Sequence, residues 1–145
     1  MADPQIDAVL ARLRAELAAA AKGFVLEARA NLAEATPVKT GHAQANWVGG
    51  AGEPFEGEDD GAAQVAGDAA ILVWQLGEGP LSISNNVPYI DRLIAGSSSQ
   101  APAGWDVTAI DEAAATVQAQ YDGLTIDVSS GGVEASVKIS PRGAP

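Results

Sequence analysis

The sequence predicts an α+β domain, in which a long N-terminal helix and a short antiparallel sheet with a C-terminal hairpin pack against two or three helices. Apolar residues recur at helical spacing over the first third of the chain, and they alternate with period two near its end. The chain of 145 residues suits one domain. We therefore expect residues 1–145 to form a single domain, with a loose tail at 140–145.

The N-terminal helix is predicted to begin at Asp3-Pro4 and to end near Ala35. An aspartate cap followed by proline is a typical helix start, and Thr36-Pro37 disfavours helix before the proline. The apolar residues between these ends are Ile6, Val9, Leu10, Leu13, Leu17, Phe24, Val25, Ala28 and Leu32. A helix of about 30 residues is roughly 45 Å long, whereas a compact domain of this size has a radius of gyration of only about 15 Å. Part of the apolar stripe is therefore expected to contact another subunit.

The segment after this helix is predicted to form a turn, a strand, a loop and a second helix. The turn covers residues 36–41, and the strand covers 43–48 and ends in two glycines. An acidic loop with several glycines follows. The next helix is predicted to be interrupted at Gly67 and ended by Gly77. Its apolar stripe consists of Val65, Ala69, Leu72, Val73 and Leu76.

The second half of the chain is predicted to alternate strands with helices. "LSISN" is a short strand with Leu81 and Ile83 on one face, residues 87–94 form a short helix or turn, and 96–104 form a loop. A third helix begins at Trp105, with an apolar stripe of Val107, Ile110, Ala114, Val117 and Tyr121. The closing hairpin turns at 129–132 and alternates through Leu124, Ile126, Val128, Val133, Ala135, Val137 and Ile139.

The charge balance disfavours several classes of partner. The net charge is −11, with 19 acidic residues against 8 basic ones, whereas nucleic acids and anionic membrane surfaces are bound by Lys and Arg. Without cysteine, disulfides and thiolate chemistry are excluded. Neither a signal peptide nor a membrane-spanning run is recognised. We expect the protein to stay in the cytoplasm unless it leaves inside a larger particle.

Sequence signals for catalysis are weak. His42 is the only histidine, so a histidine-centred metal cluster is excluded, and a lone histidine in a turn is usually structural. No serine lies in a Gly-x-Ser-x-Gly elbow, and the chain has no glycine-rich phosphate loop with its lysine. We therefore expect no enzymatic activity, no cofactor and no metal.

The acidic loop is the best remaining candidate for chemistry. Its carboxylates belong to Glu53, Glu56, Glu58, Asp59 and Asp60. Clustered carboxylates bind calcium, and a pair of them can hydrolyse a glycosidic bond. The spacing does not match the calcium loop in which ligands alternate along the chain. A solvated loop is therefore the expected interpretation, and a hydrolase that uses Glu53, Glu56 or Asp59 is the alternative.

Two further motifs lie at connections between elements. "TPVKTG" places Pro37, Lys39, Thr40 and Gly41 in a tight turn. "NNVPY" places two asparagines and a proline before a helical turn. We expect Asn85 or Asn86 to cap that turn, and the side chains after it to face inward.

Taken together, these motifs resemble the neck or tail-completion proteins of long-tailed phages and phage-like particles. That family opens with a long helix and carries three motifs in order, "TPVxTG" with a following Asn-Trp, "NNxPYxxxLExG" and "SxQAPxGxV". The matching residues here are Thr36, Pro37, Val38, Thr40, Gly41, Asn46, Trp47, Asn85, Asn86, Pro88, Tyr89, Leu93, Gly96, Ser97, Ser99, Gln100, Ala101, Pro102 and Gly104. The resemblance covers residues 5–120. It departs at Ile94-Ala95, where an acidic residue is usual, and at Trp105, where a smaller apolar residue is common.

The resemblance implies a structural virion protein at the head-tail junction, present in the host cytoplasm during assembly. Such subunits form a ring, most often of six copies, that ends the tail tube and joins it to the head connector. The implied partners are further copies, the tail tube protein and the head connector or stopper proteins. DNA passes through the lumen without specific binding. A head-side connector or stopper layer, or an accessory protein outside the virion, remains an alternative.

Three segments are expected to make assembly contacts. The long helix provides a subunit interface, and the hairpin at 124–139 offers a sheet edge that could extend a neighbour's sheet. The loop at 96–104 is expected to be held out toward a neighbouring subunit or the channel, anchored to the core by Tyr89, Ile90 and Leu93.

Overall fold

The computed structural model describes residues 3–38, 41–59, 61–96, 100–101, 103–131 and 134–143. Its fold is mixed, with a long N-terminal helix and two small antiparallel sheets packed against helices, so the predicted α+β class is confirmed. The elements in chain order are α1 (Pro4–Ala35), α2 (His42–Ala45), β1 (Val48–Ala51), α3 (Ala62–Val73), β2 (Leu81–Ser84), α4 (Ile90–Ile94), α5 (Trp105–Gln120), β3 (Leu124–Gly131) and β4 (Glu134–Pro141).

Helix α1 has the ends that the sequence predicts. The Asp3 carboxylate accepts a hydrogen bond from the Gln5 backbone N–H at 2.8 Å, which caps the first turn. The helix ends at Ala35 because Thr36 adopts an extended conformation ahead of Pro37. Every residue from 3 to 12 is exposed, and we call this segment the N-terminal arm.

The strands form two separate two-stranded sheets. β1 pairs with β2 in antiparallel register, from Val48 opposite Ser84 to Ala51 opposite Leu81. β3 pairs with β4 as the C-terminal hairpin. As predicted for β2, Leu81 and Ile83 pack against the core.

Two apolar clusters form the core at the two ends of the packed part of α1. One joins the middle of α1 to α3, α5 and the hairpin, with buried Ala20, Phe24, Val25, Ala28, Ile71, Ala113, Val117 and Leu124. The other lies at the end of α1, with buried Leu32, Ala43, Trp47, Val87, Ile90, Ala101, Trp105 and Ala109.

The strand predicted at 43–48 is wrong. Residues His42–Ala45 form α2, and β1 begins only at Val48. The side chain of Asn46 explains the difference, because its Nδ2 donates to the His42 carbonyl oxygen at 2.8 Å and closes a helical turn.

Helix α3 is continuous, so the predicted interruption at Gly67 is wrong. Gly67 packs against the backbone of Gly49 in β1, where a larger residue would not fit. The helix ends at Val73 rather than at Gly77, because Trp74 turns inward and its indole N–H donates to the Gly79 carbonyl at 3.0 Å.

The predicted apolar stripe of α3 faces outward. Val65, Leu72 and Val73 are exposed by 71%, 61% and 76% of their surface, and we call them the outer face of α3. Ala69 and Leu76 are exposed too. The inner side carries the fully buried Ile71 and the small Gly67, because it lies on the glycine-rich strand β1.

The stripe predicted for α5 is correct in part. Val117 is buried, and Ile110, Ala114 and Tyr121 pack against the first cluster. Val107 is exposed by 37%. The helix buries three residues that the predicted stripe omits, Trp105, Ala109 and Ala113.

The hairpin extends beyond its predicted limits at both ends. Pairing continues to Gly131 opposite Glu134, so residues 129–131 are strand rather than turn. Gly132, the last residue of the predicted turn, and Val133, the first of the second predicted strand, lie outside the described residues. Ser140 and Pro141 belong to β4 and not to a loose tail, because β4 pairs as far as Leu124 opposite Pro141.

Candidate functional site

The first and last sequence motifs contact each other directly. The side-chain amide of Gln100 accepts a hydrogen bond from the Val38 N–H at 2.8 Å and donates one to the Val38 carbonyl at 3.0 Å. The Gln100 amide thus pairs with Val38 as a neighbouring strand would. This pairing ties the segment after α1 to the segment before α5.

Two buried tryptophans, each with its indole N–H hydrogen-bonded, pack against each other in the second cluster. The buried Thr36 hydroxyl donates to the Leu32 carbonyl at 2.6 Å and accepts from the Trp47 indole N–H at 2.7 Å. Trp47 packs edge to face on Trp105, with ring centroids 6.2 Å apart. The Trp105 indole N–H donates to the Leu93 carbonyl at 2.8 Å. Both large rings are therefore buried without an unpaired N–H.

The central motif supplies the anchor that the sequence predicts. Ile90 is buried in the second cluster, and Tyr89 and Leu93 are half-buried against it. Part of the loop at 96–104 is not held away from the domain as expected, and its expected contact with a neighbouring subunit or the channel stays a prediction. Ala101 is buried and Gln100 is bonded to Val38, so this part of the loop folds back onto the domain.

Neither asparagine of the central motif caps α4, contrary to prediction. The residue at the cap position is Tyr89, which makes no side-chain capping bond. Asn85 instead accepts from the Val87 N–H at 3.1 Å and donates to the Ala43 carbonyl at 2.9 Å. Asn86 is exposed and donates to the Phe55 carbonyl at 2.7 Å. The two asparagines therefore tie α2 and the acidic loop to the central motif.

The other predicted assembly residues are distributed around the same cluster. Gly96 has a φ of 92° and lies so close to the Ala103 backbone that a side chain would not fit. Gly41 and Gly104 immediately precede α2 and α5. Pro37 is half-buried and Pro88 is exposed. Four motif residues lie outside the described residues, namely Thr40, Ser97, Ser99 and Pro102, as does Lys39 of the "TPVKTG" turn.

Asn46 organises this region, although the sequence pointed to it only as the neighbour of Trp47. It is 1% exposed, and its side chain donates to the carbonyl oxygens of His42 and Asp59 at 2.8 and 2.9 Å. Its Oδ1 accepts from the Asp59 N–H at 2.8 Å. The sequence offers no signal for these bonds beyond the position of Asn46 directly before Trp47.

The acidic loop does not bring its carboxylates together. Glu58 contacts His42 Nε2 at 2.7 Å, and Asp59 accepts from the Ala63 N–H in the first turn of α3. Glu53 and Glu56 are exposed, and Asp60 lies outside the described residues. Across the described part of the chain, no group of three or more His, Cys, Asp or Glu side chains is arranged to hold a metal ion.

Two apolar surfaces on the described residues lack a cover from their own chain. One is the outer face of α3. The other is the N-terminal arm, where Ile6, Val9 and Leu10 are exposed by 58%, 61% and 45%. Exposed apolar patches of this kind are typical of protein contacts.

No protein-family model, curated protein or solved structure matches this chain. No helix in the described ranges is long and apolar enough to cross a membrane.

Proposed function

We propose that this chain is a structural virion protein that forms a ring at the head-tail junction of a long-tailed phage or phage-like particle. The ring would end the tail tube and join it to the head connector, and DNA would pass through its lumen. The proposal combines the ordered motifs, which resemble the neck and tail-completion family, with an assembly surface on α1. It includes no enzymatic activity and no cofactor.

The observation that carries the proposal is the N-terminal arm. α1 has 32 residues, and its own domain leaves residues 3–12 exposed. A short helix in water is marginally stable without a packed face. An apolar stripe that extends beyond the domain therefore favours a protein that works in an assembly.

The motif residues support the proposal in a different way. Trp47 and Leu93 pack in the second cluster, and Gln100 bonds to Val38 beside it, so the motifs they belong to have a packing role. Contacts with other subunits would then come mainly from surfaces outside the motifs, such as the arm.

The charge of the chain is compatible with a DNA channel. A net charge of −11 per subunit, repeated around a ring, would repel the phosphate backbone. DNA would then move through the lumen without adhering to it.

Two other functions remain open as alternatives. The ring could belong to the head-side connector or stopper layer, or the chain could be an assembly accessory that never enters the particle. Mass spectrometry of purified particles distinguishes a virion subunit from an accessory. A virion subunit is present in a few copies per particle, whereas an accessory is absent from it.

Deletion of the gene tests the proposed role directly. Electron microscopy of particles made without the protein is expected to show heads without tails, or tails of uncontrolled length. Complementation with the native gene controls for effects on neighbouring genes. Normal particles in the deletion strain would contradict the proposal.

A further inference from the structure

An apolar groove of about 630 Å³ lies between α1, α5 and the two sheets. Its walls include Phe24 of α1, Trp74, Ile83 of β2, and Val107 and Ile110 of α5. The groove is open on one side, so an apolar side chain from another molecule can enter it.

Two residues in the lining of this groove each carry a buried oxygen without a hydrogen-bond partner. Among the described residues, Asp106 Oδ1 and Ser82 Oγ are the buried side-chain oxygens that lack a hydrogen-bond partner, and both residues belong to its wall. Asp106 lies in the first turn of α5, where the helix dipole favours its charge. The helix dipole provides no hydrogen-bond donor to Oδ1, however, and a buried carboxylate oxygen without a donor lowers the stability of the fold. The groove is therefore complementary to an apolar ligand that also carries a donor, preferably a cation.

The N-terminal arm and the turn after it have these properties. Ile6 and Leu10 are exposed and spaced by four residues, so they lie along one side of α1, and Leu13 on the same side packs against the core of its own chain. Arg14 follows Leu10 by four residues and therefore lies next to it on the helix surface. Arg14 is exposed, and neither of the two ion pairs found in the described residues includes it.

Charge also favours the arm as the occupant. Between residues 3 and 14 the acidic residues Asp3 and Asp7 balance the basic residues Arg12 and Arg14. That segment is neutral, so the net charge of −11 lies on the rest of the chain. A neutral apolar segment with a cation at its base can approach the acidic body of a second copy with little repulsion.

We propose that the N-terminal arm of one copy docks into this groove of a second copy, with Arg14 paired to Asp106. The contact is head to tail, because the arm and the groove are different surfaces of the chain. Contacts of this type generate rings when the rotation closes. The inference thus rests on the proposed ring and names the surfaces that would build it.

Two substitutions separate the two sides of the contact. Leu10→Asp places a charge on the docking side of the arm, and Val107→Asp places one on the wall of the groove. Val107 lies in the first turn of α5, where an aspartate is compatible with the helix. The matched controls are Ala8→Asp, on the opposite side of the arm, and Ala115→Asp, on an exposed position of α5. Circular dichroism and thermal melting establish that each variant is folded.

Sedimentation velocity then measures the oligomeric state of each variant. We expect the native chain and both controls to self-associate, and each of the two test variants to remain monomeric. An equal mixture of the Leu10→Asp and Val107→Asp chains is expected to form pairs and nothing larger, because only one intact arm and one intact groove can meet.

The proposed ion pair is tested in the same assay. We expect Arg14→Ala and Asp106→Ala each to weaken self-association by about tenfold, and the double variant to be little weaker than either. Arg12→Ala, on the opposite side of the helix from Leu10, is the matched control and is expected to leave self-association unchanged.

Several results would overturn the inference. They are a test variant that associates like the native chain, a mixture that does not pair, or association lost through Val65→Asp on the outer face of α3 instead. A native chain that is monomeric at roughly 1 mM would do the same. Two outcomes distinguish the docking contact from the proposed function. Rings that persist in Leu10→Asp particles would contradict the docking contact but not the proposed role in the virion. Association that depends on the arm, in a chain that never enters particles, would support the docking contact and contradict the role in the virion.

Discussion

The side-chain amide of Gln100 forms hydrogen bonds with both backbone groups of Val38, a residue 62 positions away, at 2.8 and 3.0 Å. Beside this contact, Ala101 enters the buried cluster that also contains Trp47 and Trp105. The side chain of a loop glutamine therefore forms the two backbone hydrogen bonds that a paired strand would otherwise form. This pairing holds Val38 to the fold, although the Val38 side chain is exposed.

Replacing Gln100 is expected to loosen this connection. Gln100→Ala removes both hydrogen bonds and should lower the free energy of unfolding by about 1 kcal/mol, since each bond is partly exposed to water. Gln100→Glu keeps the acceptor for the Val38 N–H but sets a carboxylate against the Val38 carbonyl, so it should destabilise as well. Urea denaturation measures both effects. Gln75→Ala, at an exposed position in the loop after α3, is the control, and an equal loss there would contradict the prediction.

The buried bond between Thr36 and Trp47 is expected to contribute more. Thr36→Val keeps the shape of the side chain but leaves the Trp47 indole N–H and the Leu32 carbonyl without this partner. An unpaired buried donor costs about 1–3 kcal/mol, and we expect a loss in that range by thermal or urea denaturation.

A double-mutant cycle isolates that bond from packing effects. Trp47→Phe removes the donor and shortens the ring, so on its own it lowers stability through lost contacts. In the Thr36→Val/Trp47→Phe double variant the indole N–H is no longer left unpaired. The free energies of unfolding lost in the two single variants should therefore sum to about 1 kcal/mol more than the loss in the double variant. Strict additivity would show that the hydroxyl and the indole are not coupled.

The sequence predicts well those elements whose signals are local. The cap at Asp3, the proline after Thr36 and the alternation in the hairpin each act within a few residues. α1 has the predicted ends, and the hairpin forms from the predicted segment although its strands are longer than expected. The same holds for the anchor at Tyr89 and Leu93. Even the exposure of the arm follows from length alone, because a helix of this length cannot be covered by its own domain.

The sequence fails where long-range packing decides. On α3 the apolar stripe is the exposed side, because Gly67 has to meet the backbone of Gly49 and thereby orients the helix. α2 replaces a predicted strand because Asn46 bonds back to His42 and across to Asp59. The pairing of Gln100 with Val38 has no local signal either. In the candidate site the motif residues were identified, but their mutual contacts depend on partners far apart in the chain.

The close approach of α3 to β1 predicts opposite outcomes at two helical glycines. A methyl group at Gly67 would overlap the Gly49 carbonyl oxygen, whereas one at Gly23 would meet no atom within 4 Å. Gly67→Ala should therefore force α3 away from β1 and destabilise by about 1–3 kcal/mol or more. Gly23→Ala should stabilise by up to about 1 kcal/mol, because alanine is the better helix former. Thermal melting of both variants tests this, and a Gly67→Ala protein as stable as the native chain would contradict the packing described for α3.

The acidic loop gives a last prediction, which separates a structural carboxylate from a catalytic one. Asp59 accepts from the Ala63 N–H at the start of α3, so Asp59→Ala should lower the free energy of unfolding by about 0.5–2 kcal/mol. Glu53→Ala and Glu56→Ala remove exposed carboxylates and should leave stability unchanged within about 0.5 kcal/mol.

Infectivity of particles carrying the same variants tests the hydrolase alternative. If the loop has no catalytic role, Glu53→Ala and Glu56→Ala particles should assemble and infect as the native ones do. Asp59→Ala should then impair assembly only to the extent that it destabilises the subunit, and lowering the growth temperature should restore it. Normal assembly with lost infectivity in the Glu53 or Glu56 variant would instead favour a carboxylate hydrolase.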